Sequence, residues 1–202
     1  MTVPALQEIR DKIAHAASIA RRKPDAIALV ARAKEFGFRL ASREELEAAV
    51  SMAETLIHGK LASVDSISRM NAQTGMTAWV TGDPVDGIFL TLPLTEAGEN
   101  AVRDGSYDPV APRREHLAAQ GEGVSAFYVG VYAGKTREAR KKIMTASAVL
   151  RVEMFGVFPA YARGATEDGR RSMLSLGFQK FEGGLSDLYV QPPFQQIMDH
   201  AS

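Results

Sequence analysis

Between residues 124 and 181, short apolar runs alternate with amphipathic segments. Short apolar runs are typical of buried strands, and apolar residues at steps of three and four are typical of helices that cover a sheet. The alternation therefore predicts an α/β fold with the order strand, helix, strand, helix, strand. The five predicted segments are VSAFYVGVY, TREARKKIMTASAVL, FGVFPAYA, TEDGRRSMLSLGF and QKFEGGLSDLYV.

A short strand and a capped helix are predicted upstream of this run. The strand covers 38–41, and Ser42 follows it with Glu45 three residues later. This spacing is a capping box, in which each side chain bonds the other residue's backbone N–H. The helix that it starts is expected to end at Gly59.

A further helix and a β-hairpin are predicted next. Apolar residues at helical steps indicate a helix over 63–71. The apolar runs 77–81 and 87–92 flank a loop of Gly, Asp and Pro, a composition typical of a hairpin. Pro93 cannot donate a ladder hydrogen bond, so we expect it to end the second strand or to lie on an edge.

Two segments have weaker patterns. Residues 96–122 contain glycines and prolines throughout, which predicts a long loop with one helical turn that flanks the active site. Residues 25–36 fit either a helix or a strand, and their Ala, Lys and Glu content favours the helix. Apolar residues at helical steps also predict an amphipathic helix at the start of the chain: Leu6, Ile9, Ile13, Ala17 and Ala20. We thus expect an N-terminal helical extension over 1–36 and one domain over 37–202.

Composition excludes several classes of function. The 24 basic and 24 acidic residues balance, so no global field favours nucleic acid or an anionic membrane. No apolar run approaches the length of a membrane span, and the N-terminus is charged, so we expect a cytoplasmic protein. The absence of cysteine excludes disulfides, thiolate–zinc sites and a cysteine nucleophile. The four histidines are scattered, so no metal site is expected.

The turn after the strand at 124–132 is a candidate anion site. Ala133, Gly134 and Lys135 form a short turn, and a helix is predicted to begin at or just before Thr136. The first backbone N–H groups of a helix have no internal partner, and the helix dipole adds partial positive charge there. Such a turn suits a phosphate or pyrophosphate, and Lys135 and Arg137 could also contact it through their side chains.

The order of elements from residue 38 onward resembles that of the GCN5-related N-acetyltransferase (GNAT) superfamily. Phe38-Arg39-Leu40-Ala41-Ser42 and Glu44-Glu45-Leu46 are similar to its opening strand and acidic helix start. Ala126-Phe127-Tyr128-Val129-Gly130-Val131 resembles its central strand, and Thr166 to Phe178 its last helix, which ends in Gly-Phe. The resemblance implies a divergent, GNAT-like mixed central sheet with flanking helices.

The resemblance also implies an N-acyltransferase that uses acetyl-CoA or another acyl-CoA as co-substrate. The acceptor would be the amine of a small molecule or a peptide, and a homodimer is compatible with this assignment. The implied coenzyme-binding residues lie on the central strand, the turn and the last helix: Val129, Val131, Gly134, Lys135, Thr136, Arg137, Ala139 and Thr166.

The sequence departs from the family pattern at its phosphate loop and its last helix. Arg137 replaces a glycine that lets the backbone approach the pyrophosphate, and only Ala139 fits the loop motif. Thr166 stands where the family often has Asn. Met173 stands where it often has the tyrosine that protonates the leaving thiolate, and methionine cannot donate a proton.

Another residue must therefore supply the acid if transfer is retained. The candidate acids are Tyr132 and Tyr161 at the ends of the two strands, and His116 in the loop is a candidate base. A protein that has lost the acid and the tight phosphate loop would instead be a GNAT-like binding or regulatory protein. The sequence leaves both functions open.

Overall fold

The computed structural model describes residues 23–164 and 166–193. Within these residues a seven-stranded sheet is flanked by six α-helices. The predicted helix over 6–20 and the tail from residue 194 lie outside the described residues. In chain order the elements are α1 (Ala26–Glu35), β1 (Phe38–Leu40), α2 (Arg43–Ile57), α3 (Val64–Thr74), β2 (Ala78–Gly82), β3 (Val85–Leu94), α4 (Glu96–Asp104), β4 (Ala126–Gly134), α5 (Arg137–Glu153), β5 (Ala160–Arg163), α6 (Glu167–Ser175), β6 (Gln179–Lys180) and β7 (Leu188–Gln191).

The sheet is mixed, with the strand order β1-β2-β3-β4-β5-β7-β6. Every neighbouring pair is antiparallel except β4 and β5, which run parallel and are joined by α5. A parallel pair needs such a crossover, whereas β2 and β3 need only a tight turn at Asp83-Pro84. The α/β fold predicted from the sequence, with a mixed central sheet and flanking helices, is confirmed.

Side-chain caps fix the starts of the helices. The predicted capping box is present: the Ser42 side chain accepts from the Glu45 N–H, and Glu45 accepts from the Ser42 N–H. Asp25 caps α1, so the segment over 25–36 is a helix, as the composition favoured. At the end of α2 the left-handed residue is His58 rather than the expected Gly59.

The helices cover both faces of the sheet. On one face, α2 buries Leu46 and Ala49 against β3 and β4. On the other face, α1 and α5 pack together over Trp79 and Phe89, whose rings stack with their centroids 5.9 Å apart. Leu29 of α1 is fully buried there, so the described part of the predicted extension packs on the sheet. The division of the chain at residue 36 stays a prediction.

The expectation of a loop over 96–122 was wrong over Glu96–Asp104, which is helical, whereas 105–122 contains no further α-helix or strand. Thr95 caps a nine-residue helix, α4, and a 3₁₀ turn follows at Arg114–His116. Gly98 allows these two elements to touch, because a Cβ at this position would lie 2.1 Å from the backbone oxygen of His116. The glycines that suggested a loop therefore serve close packing and, at Gly105, a left-handed helix end.

Two predicted strands were also too long. Within the predicted strand 155–162, only Ala160 onward is extended, after Pro159. The last predicted strand, over 179–190, is a hairpin of β6 and β7. Its loop contains Gly183 and Gly184, which adopt positive φ values of 138° and 58°. These conformations favour glycine and reverse the chain.

We expect Ser42→Ala to lower the free energy of unfolding by about 1 kcal/mol, because an N–H at the start of α2 loses its acceptor. Urea denaturation measures the change. Ser51→Ala, an exposed substitution on the same helix, is the matched control and should not destabilise, since alanine favours helix. Equal losses in both variants would contradict the assigned cap.

A pH-dependent contribution is expected from Glu45. The backbone N–H of Ser42, with help from Arg39, holds the pKa of Glu45 below its usual range. A lowered folded-state pKa stabilises the fold above the unfolded-state pKa, and this stabilisation is lost as pH falls through the folded-state pKa. The stability advantage of wild type over Glu45→Gln should therefore shrink between about pH 5 and pH 3. A constant difference over this range in urea denaturation would contradict the assignment.

Candidate functional site

The strands β4 and β5 separate in the middle of the sheet. They pair at only three positions, and the last pair is Val129 with Ala162. Beyond it β4 continues to Gly134 along β3, whereas β5 ends at Arg163 along β7. Over 130–134 the backbone of β4 therefore has no strand partner on the β5 side within the described residues. Apart from the Gly134 oxygen, which accepts from Arg140, the polar groups on that edge are available to a ligand.

A β-bulge begins where the strands separate. Leu90 of β3 pairs with Val131, and Thr91 pairs with Val129, so Gly130 between them has no partner residue. An extra residue of this kind bends the strand that contains it and breaks the regular ladder. The bulge thus directs the second half of β4 away from β5.

A cavity of about 440 Å³ lies at this separation. Its walls come from β4, α5 and α6, with the end of α2 contributing Leu56 and Ile57. Because α2 and α5 cover opposite faces of the sheet, the cavity passes between the strands. This shape suits an extended ligand that runs along the free edge of β4.

The cavity contains two arginines in different electrostatic states. The Arg163 guanidinium donates to both carboxylate oxygens of Asp187, at 3.0 and 2.9 Å, and this contact raises the pKa of Arg163. Its charge is therefore balanced. Arg140 of α5 bonds only a neutral group, the backbone oxygen of Gly134 at 3.2 Å, and no ion pair to it is present in the described part of the chain. Arg140 is thus available to bind an anion.

The predicted phosphate turn is largely closed by contacts of the chain itself. The Thr136 hydroxyl accepts from the backbone N–H of Ala139 at 3.0 Å, which caps α5. A Cβ at Gly134 would lie 2.7 Å from the backbone nitrogen of Arg140, so this glycine lets the strand end pack on the helix. The side chains of Lys135 and Arg137 are exposed and do not line the cavity.

Of the three catalytic candidates, Tyr132 lines the cavity. Burial raises the pKa of Tyr132 to about 12, partly opposed by a hydrogen bond with Ser147. The phenol therefore holds its proton more tightly than a free tyrosine does. Met173 also lines the cavity, on α6, and contributes a thioether.

Tyr161 and His116 lie outside the cavity lining. Tyr161 is buried on the face covered by α4, where its hydroxyl donates to Glu99 at 3.0 Å and lies 3.4 Å from a guanidinium nitrogen of Arg103. Burial, with the charge of Glu99, raises the pKa of Tyr161. His116 is 8% exposed in the 3₁₀ turn, beside Tyr107. The structure does not bring these candidates together with Tyr132.

Sequence reasoning located the strand but missed several cavity side chains. The backbone segment that includes Val129, Val131 and Gly134 does line the cavity, as does Thr166, the N-cap of α6. Arg140 and Ser172 were missed. Arg140 and Met144 are four residues apart, so the sequence indicates that they share one face of a helix. Only the position of the cavity shows that this face of α5 borders it.

Over 23–164 and 166–193, no three His, Cys, Asp or Glu side chains are grouped as a metal site would require. In the same residues, no helix combines the length and apolar character needed to cross a bilayer.

Known proteins resemble this chain in structure rather than in sequence. No protein-family model matches the sequence, and no curated protein matches it. Similar solved structures include Ard1 from Thermoplasma volcanium, at 13% identity and a TM-score of 0.47, with 76% of this chain and 93% of that chain covered. A GNAT-family acetyltransferase from Streptococcus agalactiae has 13% identity and a TM-score of 0.48, covering 77% and 94%.

The NatB acetyltransferase complex bound to CoA and MES has 8% identity and a TM-score of 0.47, with 76% of this chain and 95% of that chain covered. At these identities the likeness to all three structures concerns the fold alone.

Proposed function

We propose that this protein is a GNAT-type N-acyltransferase that moves an acyl group from acetyl-CoA or another acyl-CoA to an amine. The observation that carries the proposal is the free backbone edge of β4 over 130–134, beside a cavity of about 440 Å³. An amide-containing pantetheine arm can bond such an edge as a short extra strand would. The thioester would then lie between β4 and β5.

Transfer requires that the donor and the amine be positioned together and that, in net terms, one proton move from the nitrogen to the sulfur. The amine nitrogen attacks the thioester carbonyl, the new C–N bond forms, the C–S bond breaks, and the amine's proton ends on the departing sulfur. Holding both reactants in the cleft makes the attack effectively intramolecular. The acceptor would be a small-molecule or peptide amine that enters from the open side of the strands.

The chain offers residues for each task. Backbone groups of Val129 and Val131 would orient the donor, and Arg140 would attract its phosphate. Thr166 lies where α6 begins and lines the same cavity. Tyr132 is the proposed acid: its hydroxyl gives a proton to the departing thiolate and takes one back from the amine nitrogen, so the amine's proton reaches the sulfur in two transfers. The Ser172 hydroxyl also lines the cavity. Lys135, Thr136 and Arg137 are left out of this assignment because they lie outside the cavity lining.

A second function, that of a GNAT-like binding or regulatory protein without acyl transfer, is favoured by two observations. Met173 provides a thioether in the cavity where the family resemblance implies a tyrosine. Thr136 caps the helix start at which a pyrophosphate would bind. A GNAT-like binding or regulatory protein would retain the cleft and need no acid.

Binding of the donor is tested by thermal unfolding with and without millimolar acetyl-CoA. A ligand that binds only the folded protein at 100 times its dissociation constant adds about 2.7 kcal/mol, so we expect a higher midpoint. Arg140→Ala should reduce the shift because it removes the cation in the cavity. Lys142→Ala, an exposed residue of the same helix outside the cavity lining, is the control. No shift with acetyl-CoA or a longer acyl-CoA would overturn the proposal.

The acid is tested by the release of free thiol from acyl-CoA in the presence of a panel of amines. We expect Tyr132→Phe to lower kcat by at least about tenfold, because the ring stays and only the proton donor is lost. Its thermal shift with acyl-CoA should be unchanged. Tyr161→Phe, which removes a hydroxyl outside the cavity, should retain activity. Binding without thiol release by the wild type would favour the second function.

A further inference from the structure

Next to the cavity, the surface of α5 carries a row of positive charges. Arg137, Arg140 and Lys141 are spaced three and four residues apart, so they share one face of the helix. Met144 continues this face and, with Arg140, lines the cavity. We call Arg137, Arg140 and Lys141 the cationic stripe. It lies beside the cleft on the α5 side, and its member Arg140 lines the cavity.

The cationic stripe is not used by the fold. All three side chains are exposed, and among the described residues none of them forms an ion pair. The single contact is the bond from Arg140 to the Gly134 oxygen. Glu138, the one acid in the first turn, also forms no ion pair in this part of the chain. The charges are therefore available to an acidic partner.

Acyl groups for this chemistry come from two sources that share a phosphopantetheine arm. In coenzyme A the arm is attached to a nucleotide pyrophosphate. In an acyl carrier protein, which is small and acidic, the arm is attached to the protein through one phosphate. A pyrophosphate needs a close backbone approach at a helix start. Here Thr136 bonds the Ala139 N–H, and Arg137 stands at the position of the motif glycine.

From these observations we propose that the natural donor is an acyl carrier protein whose acidic surface docks on the cationic stripe. The inference rests on the proposed acyltransfer and names its donor. The phosphopantetheine arm enters the cleft along β4, and the same C–S to C–N exchange follows, with the amine's proton ending on the carrier's thiol. Charge complementarity at a rim accelerates association and selects the partner.

The same helix supplies a matched control. Lys142 is exposed, but it lies about three turns before Glu153 on the same flank of α5. That flank faces α1, because Glu153 accepts from Arg32 at 2.8 Å. Lys141→Glu and Lys142→Glu therefore make the same charge change on two sides of one helix, neither of them in the cavity lining.

The experiment measures the dissociation constants of the full chain for a holo acyl carrier protein, the apo carrier protein that lacks the arm, and coenzyme A. We expect the holo carrier to bind at least tenfold more tightly than the apo carrier and coenzyme A. Lys141→Glu should weaken holo carrier binding at least fivefold, and Lys142→Glu less than twofold. Raising the salt concentration should weaken the wild type and reduce the difference between the two variants.

The outcomes separate this inference from the proposed function. If coenzyme A raises the thermal midpoint but the holo carrier binds no more tightly, the carrier inference is overturned and the acyl-CoA function stands. Equal losses in the two variants would also overturn it. Binding of a duplex oligonucleotide that is sensitive to Lys141→Glu, without carrier binding, would assign the stripe to nucleic acid instead. If neither coenzyme A nor carrier binds, both proposals fail.

Discussion

The separation of β4 from β5 after Val129 is the constraint on which the candidate site depends. Parallel strands in the middle of a sheet normally stay paired, because unpaired backbone groups inside a protein are costly. Here the bulge at Gly130 bends β4, and the last residue of β5 pairs only with the antiparallel strand β7. A cavity and a free backbone edge arise together from this one feature. The side chains around it modify a site that the backbone creates.

The two faces of the sheet carry different polar side chains. On the α4 face, Tyr161, Glu99 and Arg103 form a polar cluster that ties the helix to β5. On the α5 face, Tyr132 and Arg140 line the cavity. Tyr161 and Tyr132 thus have different surroundings, because they lie on opposite faces of the sheet. The bulge at Gly130 decides this, because one extra residue shifts the alternation of β4 and places Tyr132 in the apolar cluster on the α5 face.

Expectations based on local chemistry agreed with the structure, and those based on glycine were the least accurate. The capping box at Ser42 and Glu45 depends on residues three positions apart, so the sequence alone indicates it. Gly98 and Gly105 suggested a loop, yet one permits contact with the His116 backbone and the other ends α4. The same residue type serves turns, helix ends and close packing. Only the neighbours in space distinguish these uses.

The sequence by itself determined the α/β class, the order of most elements and the strand that borders the site, because apolar periodicity and caps act over a few residues. The tertiary structure decided which side chains reach the cavity. Arg140 lines it and Arg137 does not, although both belong to one predicted helix start. The physical reason is that the packing of Ala139, Ile143 and Leu150 on the sheet fixes the orientation of α5 about its own axis. That packing joins residues distant in sequence, and no local pattern contains it.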